Sequence, residues 1–134
     1  MRKYKTHKKL IELFSQFKYH PDILDEIMEL VVEKGKTNQF VKILQKNIKM
    51  IDTLKLEVTR LKNFEKLQNA NDLYSMKFKG TDMNIRILYS YDGDAYTLLL
   101  CCFEEKEDSN VNSYKRYIPI AQKRRQEMED KNEN

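Results

Sequence analysis

Three cations on two consecutive predicted strands are the residues best suited to chemistry in this chain. Lys77 and Lys79 alternate with apolar residues in YSMKFKG, and Arg86 alternates in the same way in NIRILYSY. With a loop over residues 80–83, strand pairing places Lys77 opposite Arg86 and puts all three cations on one face. A guanidinium matches phosphate geometry, and lysines can hold neighbouring phosphates. The pattern predicts a basic patch, although a merely solvated strand face is the alternative interpretation.

The predicted β-meander that positions these cations spans residues 72–105. Alternation with a period of two indicates half-buried strands at 73–80 and 84–91, and the run 95–103 is apolar on both faces. Asp92-Gly93-Asp94 predicts a tight hairpin turn, because glycine tolerates positive φ. The predicted core face carries Met76, Phe78, Ile85, Ile87, Tyr89, Leu98, Leu100 and Cys102. The opposite face carries Lys77, Lys79, Arg86, Ser90, Thr97 and Cys101 around Leu88, Leu99 and Phe103.

Residues 1–60 are predicted to be mainly helical and to cover the core face. The basic residues 1–9 are interpreted as a frayed arm or a short edge strand, and 10–17 as a helical stripe with a strand as the alternative. Asp22 is a plausible N-cap for a clearer helix that ends at Gly35. Thr37 or Asn38 is expected to cap the next helix, which carries apolar residues at helical spacing.

The end of that helix is left open, because TLKLEV at 53–58 also alternates like a strand. Residues 61–72 are interpreted as a polar link with a few packing points. A C-terminal helix is predicted over 117–130, since Pro119 suits a first helical turn. The expected architecture is a single α+β domain over 1–134, with helices on one face of an antiparallel meander.

Composition narrows the class of protein. The formal charge of +4 is a mild lean toward polyanions, and the high charged content suits a globular chain. Cys101 and Cys102 are adjacent, so they are unsuited to a disulfide with each other and offer no metal-ligand spacing. His7 and His20 are expected on the surface. Without a long apolar run or signal peptide, a cytoplasmic location is expected, with no cofactor and no membrane contact.

About half of the sequence resembles a known protein family. The segment LKNFEKLQNANDLYSMKFKGTDMNIRILYSYDGDAYTLLLCCFEEK is similar to the RelE/HigB group of bacterial type II toxins, particularly its phage-type branch. The matching parts are a K-L-x-N run before the sheet, an L-Y-x-x-[RK]-x-K strand and an N-I-R-I-L-Y strand. The segment SYKRYIPIAQKRRQEM resembles the closing part of some members. The resemblance covers roughly Leu61 to Met128, about half of the chain.

The resemblance implies a RelE/ParE-like fold and a ribosome-dependent endoribonuclease that cleaves mRNA and so inhibits translation. It also implies a cognate antitoxin, often a helix-turn-helix protein of the HigA type, through which the toxin would reach operator DNA. The basic strand residues of the family correspond to Lys77, Lys79 and Arg86. Its residues after the last strand correspond to Lys106 and Tyr114.

RNA cleavage of this kind needs a base, a group that neutralises charge on the phosphorus, and an acid. Arg86 is predicted to stabilise the developing charge. Lys77 or Lys79 could hold flanking phosphates or move a proton. Tyr114 is predicted to stack on a base or assist proton transfer, with packing as the alternative.

Lys115 and Arg116 are expected to extend the RNA-binding surface together with Lys106. Glu104 and Glu105 depart from the family, which often carries a Lys-Lys pair after the last strand. These carboxylates would repel phosphate unless one acts as a base, and Glu105 shares the parity of the basic face. Two other functions stay open: a ParE-like toxin that inhibits gyrase, and a non-catalytic module that docks an acidic partner.

Overall fold

The computed structural model describes residues 2–91, 97–105 and 110–132, and it describes side chains over 8–91, 97–105 and 113–131. Within these ranges, four α-helices and five strands form the fold. The helices are α1 (Arg2–Phe14), α2 (Asp22–Ile27), α3 (Thr37–Leu54) and α4 (Asn110–Asn132). The strands are β1 (Lys18–Tyr19), β2 (Phe64–Lys66), β3 (Tyr74–Gly80), β4 (Met83–Tyr91) and β5 (Thr97–Glu104). A π-helical turn (Met28–Val32) follows α2, and a 3₁₀ segment (Lys55–Arg60) follows α3.

The five strands form one mixed sheet in the order β1-β5-β4-β3-β2. The predicted meander is its centre: β3, β4 and β5 are consecutive and antiparallel. The predicted register is confirmed, since Lys77 pairs with Arg86 and Phe78 pairs with Ile85. Two short strands were missed. β1 directly follows the stripe predicted over 10–17 and pairs in parallel with β5, and β2 lies inside the supposed polar link and pairs with β3.

Apolar side chains fill a core on each face of the sheet. On one face, α1, α2 and α3 bury Phe14, Ile23 and Phe40 against β3 and β4, and the Phe40 ring stacks on Phe78 at 4.3 Å. On the other face, α4 buries Ala121 in a second core with Leu88 of β4 and with Leu100 and Phe103 of β5. The predicted α+β class, with helices on the core face and a C-terminal helix, is therefore confirmed.

A β-bulge in β5 makes part of the predicted face assignment wrong. Leu88 pairs with Cys101, but the next residue, Tyr89, pairs with Leu99, so Leu100 is left without a partner on β4. Because of this extra residue, the side chains of β5 before Leu100 point to the opposite sheet face from the one predicted. Leu98 and Leu100 consequently lie under α4, and Leu99 lies in the core on the other face. Thr97 changes face as well, since it pairs with Tyr91, which packs against that same core.

The C-terminal helix begins earlier than predicted. α4 starts at Asn110, so Pro119 lies inside it and not in its first turn. The early turns are held by aromatic packing: Tyr114 meets Phe103 edge-on at 5.4 Å, and Tyr117 stacks on Phe103 at 4.4 Å. Pro119 has no backbone N–H to donate, so the helix lacks one internal hydrogen bond at this residue.

Several predictions for the first 60 residues are also wrong. Residues 2–9 belong to α1, and not to an arm or an edge strand. Pro21 and Lys36 occupy the N-cap positions of α2 and α3, so Asp22, Thr37 and Asn38 are not the caps. The end of α3, for which helix and strand were both left open, is at Leu54; Lys55 follows with a φ of 53°, and the rest of TLKLEV is 3₁₀ helix.

Gly35 and His20 are two further residues of the first half whose positions were predicted. Gly35 has a φ of 70°, and this left-handed conformation ends the helical segment as predicted. His20 is buried, with 7% of its surface exposed, and its Nδ1 accepts a hydrogen bond from the backbone N–H of Asp22 at 3.2 Å. The expectation of a surface position for His20 is therefore wrong. His7 and the turn at 92–94 lie outside the residues whose side chains or backbone are described.

Within residues 2–91, 97–105 and 110–132, no helix combines the length and the apolar composition that crossing a bilayer requires.

Candidate functional site

A cleft opens where the cover of α4 over the sheet ends. Its volume is about 320 Å³, and it lies between β2, β3 and β4, the end of β5 and an early turn of α4. The sheet surface that α4 covers is apolar, whereas the surface beyond the helix, which forms the cleft, is polar and charged. The side chains that line the cleft are Glu65, Lys77, Lys79, Asn84, Arg86, Glu105 and Tyr114.

Strand register brings these side chains together. Lys77, Arg86 and Phe103 are neighbours across β3, β4 and β5, so they share a face. Phe103 is under α4, while the two cations lie at the border of its cover. Asn84 and Lys79 form the next pair along the strands. The cleft is thus the continuation of the α4-facing surface beyond the last apolar row.

Arg86 is buried at the floor of the cleft, where only 5% of its side-chain surface is exposed. Its Nε donates to the hydroxyl of Tyr114 at 3.1 Å. Its Nη1 donates to Oδ1 of Asn84 at 2.7 Å and to the carbonyl of Ile85 at 3.3 Å. Its Nη2 lies 2.6 Å from Oε2 of Glu105. A phosphate must therefore compete with Glu105 for Nη2, which is the guanidinium nitrogen that neutral acceptors leave available.

Glu105 directly follows β5 and continues its ladder by one bond. The backbone N–H of Glu105 donates to the carbonyl of Asn84 at 2.9 Å. The carboxylate, with 9% of the side-chain surface exposed, meets Arg86. Burial of a carboxylate is costly unless it is paired, so the Arg86 contact offsets much of that cost. The result is a proton acceptor and a fixed positive charge in contact with each other.

Tyr114 joins α4 to this pair. Its hydroxyl oxygen accepts from Arg86 and lies 2.9 Å from Oγ of Ser75, to which it can donate its proton. Burial raises the pKa of Tyr114, while the Ser75 hydrogen bond and the charge of Arg86 act in the opposite direction. Because the hydroxyl is committed to Ser75 and Arg86, and the ring packs on Phe103, the structure supports a positioning role more than base stacking.

The two lysines differ in their surroundings. Lys77 is partly covered, with 24% of its side-chain surface exposed, and its Nζ lies 3.9 Å from Oε1 of Glu65. Lys79 is exposed at the rim, and it makes no ion pair with any residue in the described ranges. Both ammonium groups border the opening, and Lys79 is the more accessible to a ligand.

The predicted site is therefore partly assembled. Lys77, Lys79, Arg86 and Tyr114 line one cleft. Lys115 and Arg116 are exposed on α4 and do not line it; the Arg116 guanidinium lies 5.5 Å from the centre of the Tyr117 ring. Lys106 lies outside the described residues.

The predicted basic patch of three cations shares its cleft with the carboxylates of Glu65 and Glu105, of which only Glu105 was expected on this face. Asn84, Ser75 and Glu65 were missed as members of the site. Asn84 could have been found from its place two residues before Arg86 on the same strand face. Ser75 carries the same kind of signal, since it lies two residues before Lys77 on one face of β3, whereas Glu65 lies on an unpredicted strand.

Comparison of the chain with protein-family models, with curated proteins and with solved structures finds no match. The chemistry of this cleft therefore has to be argued from its own residues. They provide a carboxylate that can accept a proton, a guanidinium that can stabilise negative charge, and two ammonium groups near the opening.

Proposed function

We propose that this chain is the toxin of a type II toxin–antitoxin system, an endoribonuclease that cleaves mRNA on the ribosome in the cytoplasm. The observation that carries the proposal is the contact between Arg86 and Glu105. Their atoms Nη2 and Oε2 are 2.6 Å apart, both side chains are almost fully buried, and both line a cleft that also contains Lys77 and Lys79. The family resemblance supplies the substrate class.

In the proposed reaction, the carboxylate of Glu105 removes the proton of a ribose 2′-hydroxyl. The 2′-oxygen attacks the adjacent phosphorus, and the bond from phosphorus to the 5′-oxygen breaks. Arg86 stabilises the negative charge that builds on the phosphoryl oxygens. Lys77, directly across the strands from Arg86, gives a proton to the leaving 5′-oxygen. The products are a 2′,3′-cyclic phosphate and a 5′-hydroxyl end.

The ion pair couples the first two of these events. When Glu105 accepts the proton it loses its charge, and its attraction for Arg86 falls. The Nη2 group then becomes available to the phosphoryl oxygens at the moment when their charge increases. A cation that strengthens its contact in the transition state accelerates the reaction, whereas equally strong ground-state binding does not.

A purely structural role for this pair is the simplest competing explanation. Buried ion pairs are weak contributors to stability, because desolvation cancels much of their attraction. The Arg86–Glu105 pair also faces a cleft, and not a packed core. Both points favour a functional role, in which the pair is retained for its chemistry.

The balance of charge in the cleft suits a substrate delivered by the ribosome. With three cations and two carboxylates, the cleft attracts free RNA only weakly. Ribosomal positioning of the mRNA would supply the orientation that electrostatic attraction does not. We propose that Lys79, Lys106, Lys115 and Arg116 contact the flanking RNA, and that a helix-turn-helix antitoxin of the HigA type neutralises the protein.

The test is cleavage of mRNA on purified bacterial ribosomes, read by primer extension, with the same variants expressed in cells to score growth. Glu105→Gln and Arg86→Ala are each expected to lower the single-turnover rate by about 10²–10⁴-fold. Arg86→Lys should not restore it, because an ammonium lacks the fork of the guanidinium. Lys123→Ala, an exposed lysine on α4 outside the cleft, is the matched control and should cleave normally.

Four results would overturn the proposal. Intact mRNA with wild-type protein is one, and cleavage by Glu105→Gln at the wild-type rate is another. Inhibition of gyrase in a supercoiling assay, with mRNA left intact, would assign the chain to the ParE-like alternative. Tight docking of an acidic protein that tolerates Arg86→Lys, again without cleavage, would assign it to the binding-module alternative.

A further inference from the structure

Asn84 contacts both members of the Arg86–Glu105 pair. Its Oδ1 accepts from Nη1 of Arg86 at 2.7 Å, and its Nδ2 donates to the backbone carbonyl of Glu105 at 3.0 Å. Its own backbone carbonyl accepts from the N–H of Glu105 at 2.9 Å. One half-exposed residue on β4 thus makes three of the hydrogen bonds that surround the pair.

We propose that Asn84 is a positioning residue, which fixes the guanidinium of Arg86 and the carboxylate of Glu105 in the arrangement that cleavage needs. This inference rests on the proposed function. Asn84 does not exchange a proton with the substrate, and it acts through the two side chains that do. Its contribution is orientation, which is worth much in reactions that depend on sub-ångström placement.

The chemistry of the position selects an amide. Arg86 presents an N–H that needs an acceptor, and the Glu105 carbonyl needs a donor; a primary amide supplies one of each at adjacent atoms. An aspartate would offer two acceptors, so it would repel the Glu105 carbonyl and add a negative charge near the base. An alanine would offer neither group. These partners also fix which end of the amide is oxygen.

The amide is important at this location because Glu105 lies beyond the last residue of β5. One backbone bond, from the N–H of Glu105 to Asn84, continues the ladder there. The side-chain bond from Asn84 to the Glu105 carbonyl holds the other side of the same peptide segment. Loss of the amide would free the Glu105 backbone to turn and would move its carboxylate relative to the cleft.

Loss of the Asn84 amide would also release one side of the Arg86 guanidinium. Arg86 is held at Nε by Tyr114, at Nη1 by Asn84 and Ile85, and at Nη2 by Glu105. The Asn84 contact, at 2.7 Å, is the shortest of the three that this group makes with neutral acceptors. Without it, the guanidinium plane can rotate about the Tyr114 contact, and Nη2 no longer points where the phosphate charge develops.

The experiment compares wild-type protein with Asn84→Ala, Asn84→Asp and Asn63→Ala. Asn63 is the matched control, because it is a half-buried asparagine before β2 whose described contact uses its backbone carbonyl and not its side chain. Two readouts are needed. The first is the single-turnover cleavage rate on mRNA-programmed ribosomes at increasing protein concentration. The second is the ¹⁵N NMR spectrum of the Arg86 guanidinium in the free protein.

Asn84→Ala is expected to lower the saturating cleavage rate by about 10–100-fold, with half-saturation changed by less than about twofold. The slowly rotating Nη signals of Arg86 should broaden or average. Asn84→Asp should keep the Arg86 contact and its NMR signals. It lacks the donor to the Glu105 carbonyl, so its saturating cleavage rate should still fall below that of the wild type. Asn63→Ala should match the wild type in all of these.

The outcomes separate this inference from the proposed function. If Glu105→Gln and Arg86→Ala abolish cleavage while Asn84→Ala cleaves at the wild-type rate, the inference is wrong and the function stands. If the wild-type protein does not cleave RNA, the function is wrong, and the NMR comparison still decides whether Asn84 orders the pair. Unchanged Arg86 signals in Asn84→Ala would overturn the positioning role in either case.

Discussion

Arg86 shows how burial changes the chemistry open to a cation. The alternation in β4 correctly predicts that Arg86 lies on the same sheet face as Lys77, away from the helices of the first 60 residues. Alternation cannot reveal that α4 covers the adjacent row and so leaves Arg86 buried beside Glu105. The type of residue and its face could be predicted from the sequence. Its partners could not, because they come from the end of β5 and from a helix whose start was misplaced.

Tyr89 allows a test of stability against pH at this same scale. Its hydroxyl is buried without a hydrogen-bond partner among the described residues, and burial raises its pKa far above the usual value. The folded protein therefore keeps this proton at a pH where the unfolded chain, with a tyrosine pKa of about 10, loses it. Stability is fully present below pH of about 10 and falls as the pH rises further.

Replacement of Tyr89 by phenylalanine should remove this alkaline loss and leave the neutral-pH stability within about 1 kcal/mol of wild type, since no hydrogen bond is broken. By pH 11 the variant should have lost about 1.4 kcal/mol less than the wild type relative to pH 8. Urea unfolding at the two pH values measures the difference. Equal losses in both proteins would mean that Tyr89 ionises normally in the folded state.

At the scale of elements, the accuracy of the sequence-based prediction depends on whether polar residues mark the faces. The hairpin of β3 and β4 carries lysines that identify its outer face, and its register was predicted in full. The run LLLCC in β5 carries no such marker, so the bulge at Leu100 could not be located. β1 and β2, with two and three residues, are too short for any periodicity to indicate them.

A second ion pair, between Glu26 and Arg124, binds backbone groups of β5 beside the bulge. Glu26 on α2 accepts the N–H of Cys102 at 2.9 Å, and Arg124 on α4 donates to the carbonyl of Leu100 at 3.0 Å. The two side chains also bind each other through two contacts of 2.8 and 2.9 Å. This pair satisfies backbone groups of β5 that β1 does not reach, and it connects the helices on the two faces of the sheet.

Glu26→Gln should destabilise the fold by roughly 2–3 kcal/mol, because it leaves Arg124 partly buried without its counter-charge. Arg124→Gln should cost a similar amount, and the double variant should cost less than the sum of the two. Chemical denaturation of the three variants provides the comparison. Additive losses would mean that the two side chains do not act as a pair.

At the scale of the whole molecule, α4 both covers the second core and carries Tyr114 into the cleft. Ala121 is fully buried at the contact between this helix and the sheet, next to Leu88, Leu100 and Phe103 in the same core. The small side chain permits a close approach of the helix. The position of the helix, and hence of the Tyr114 hydroxyl on Arg86, therefore depends on packing about two turns away.

Ala121→Leu should push α4 outward, lower stability by about 1–3 kcal/mol, and reduce cleavage although the residue lies outside the cleft. Gln122→Leu, one residue along on a less buried part of the helix, is the control and should affect both quantities less. Parallel measurement of unfolding and of single-turnover cleavage tests the coupling. Reduced stability with an unchanged cleavage rate at low temperature would show that α4 does not position Tyr114.

The parallel pairing of β1 with β5 sets a limit on when the molecule can be completed during its synthesis. Lys18 must wait for Leu98, its partner in the sheet, and these positions are far apart in the chain. At an elongation rate of about 5–20 residues per second, that separation corresponds to about 4–16 seconds. Glu105 and Tyr114 emerge later still, so a nascent chain would complete the proposed active site only after residue 114 has left the ribosome.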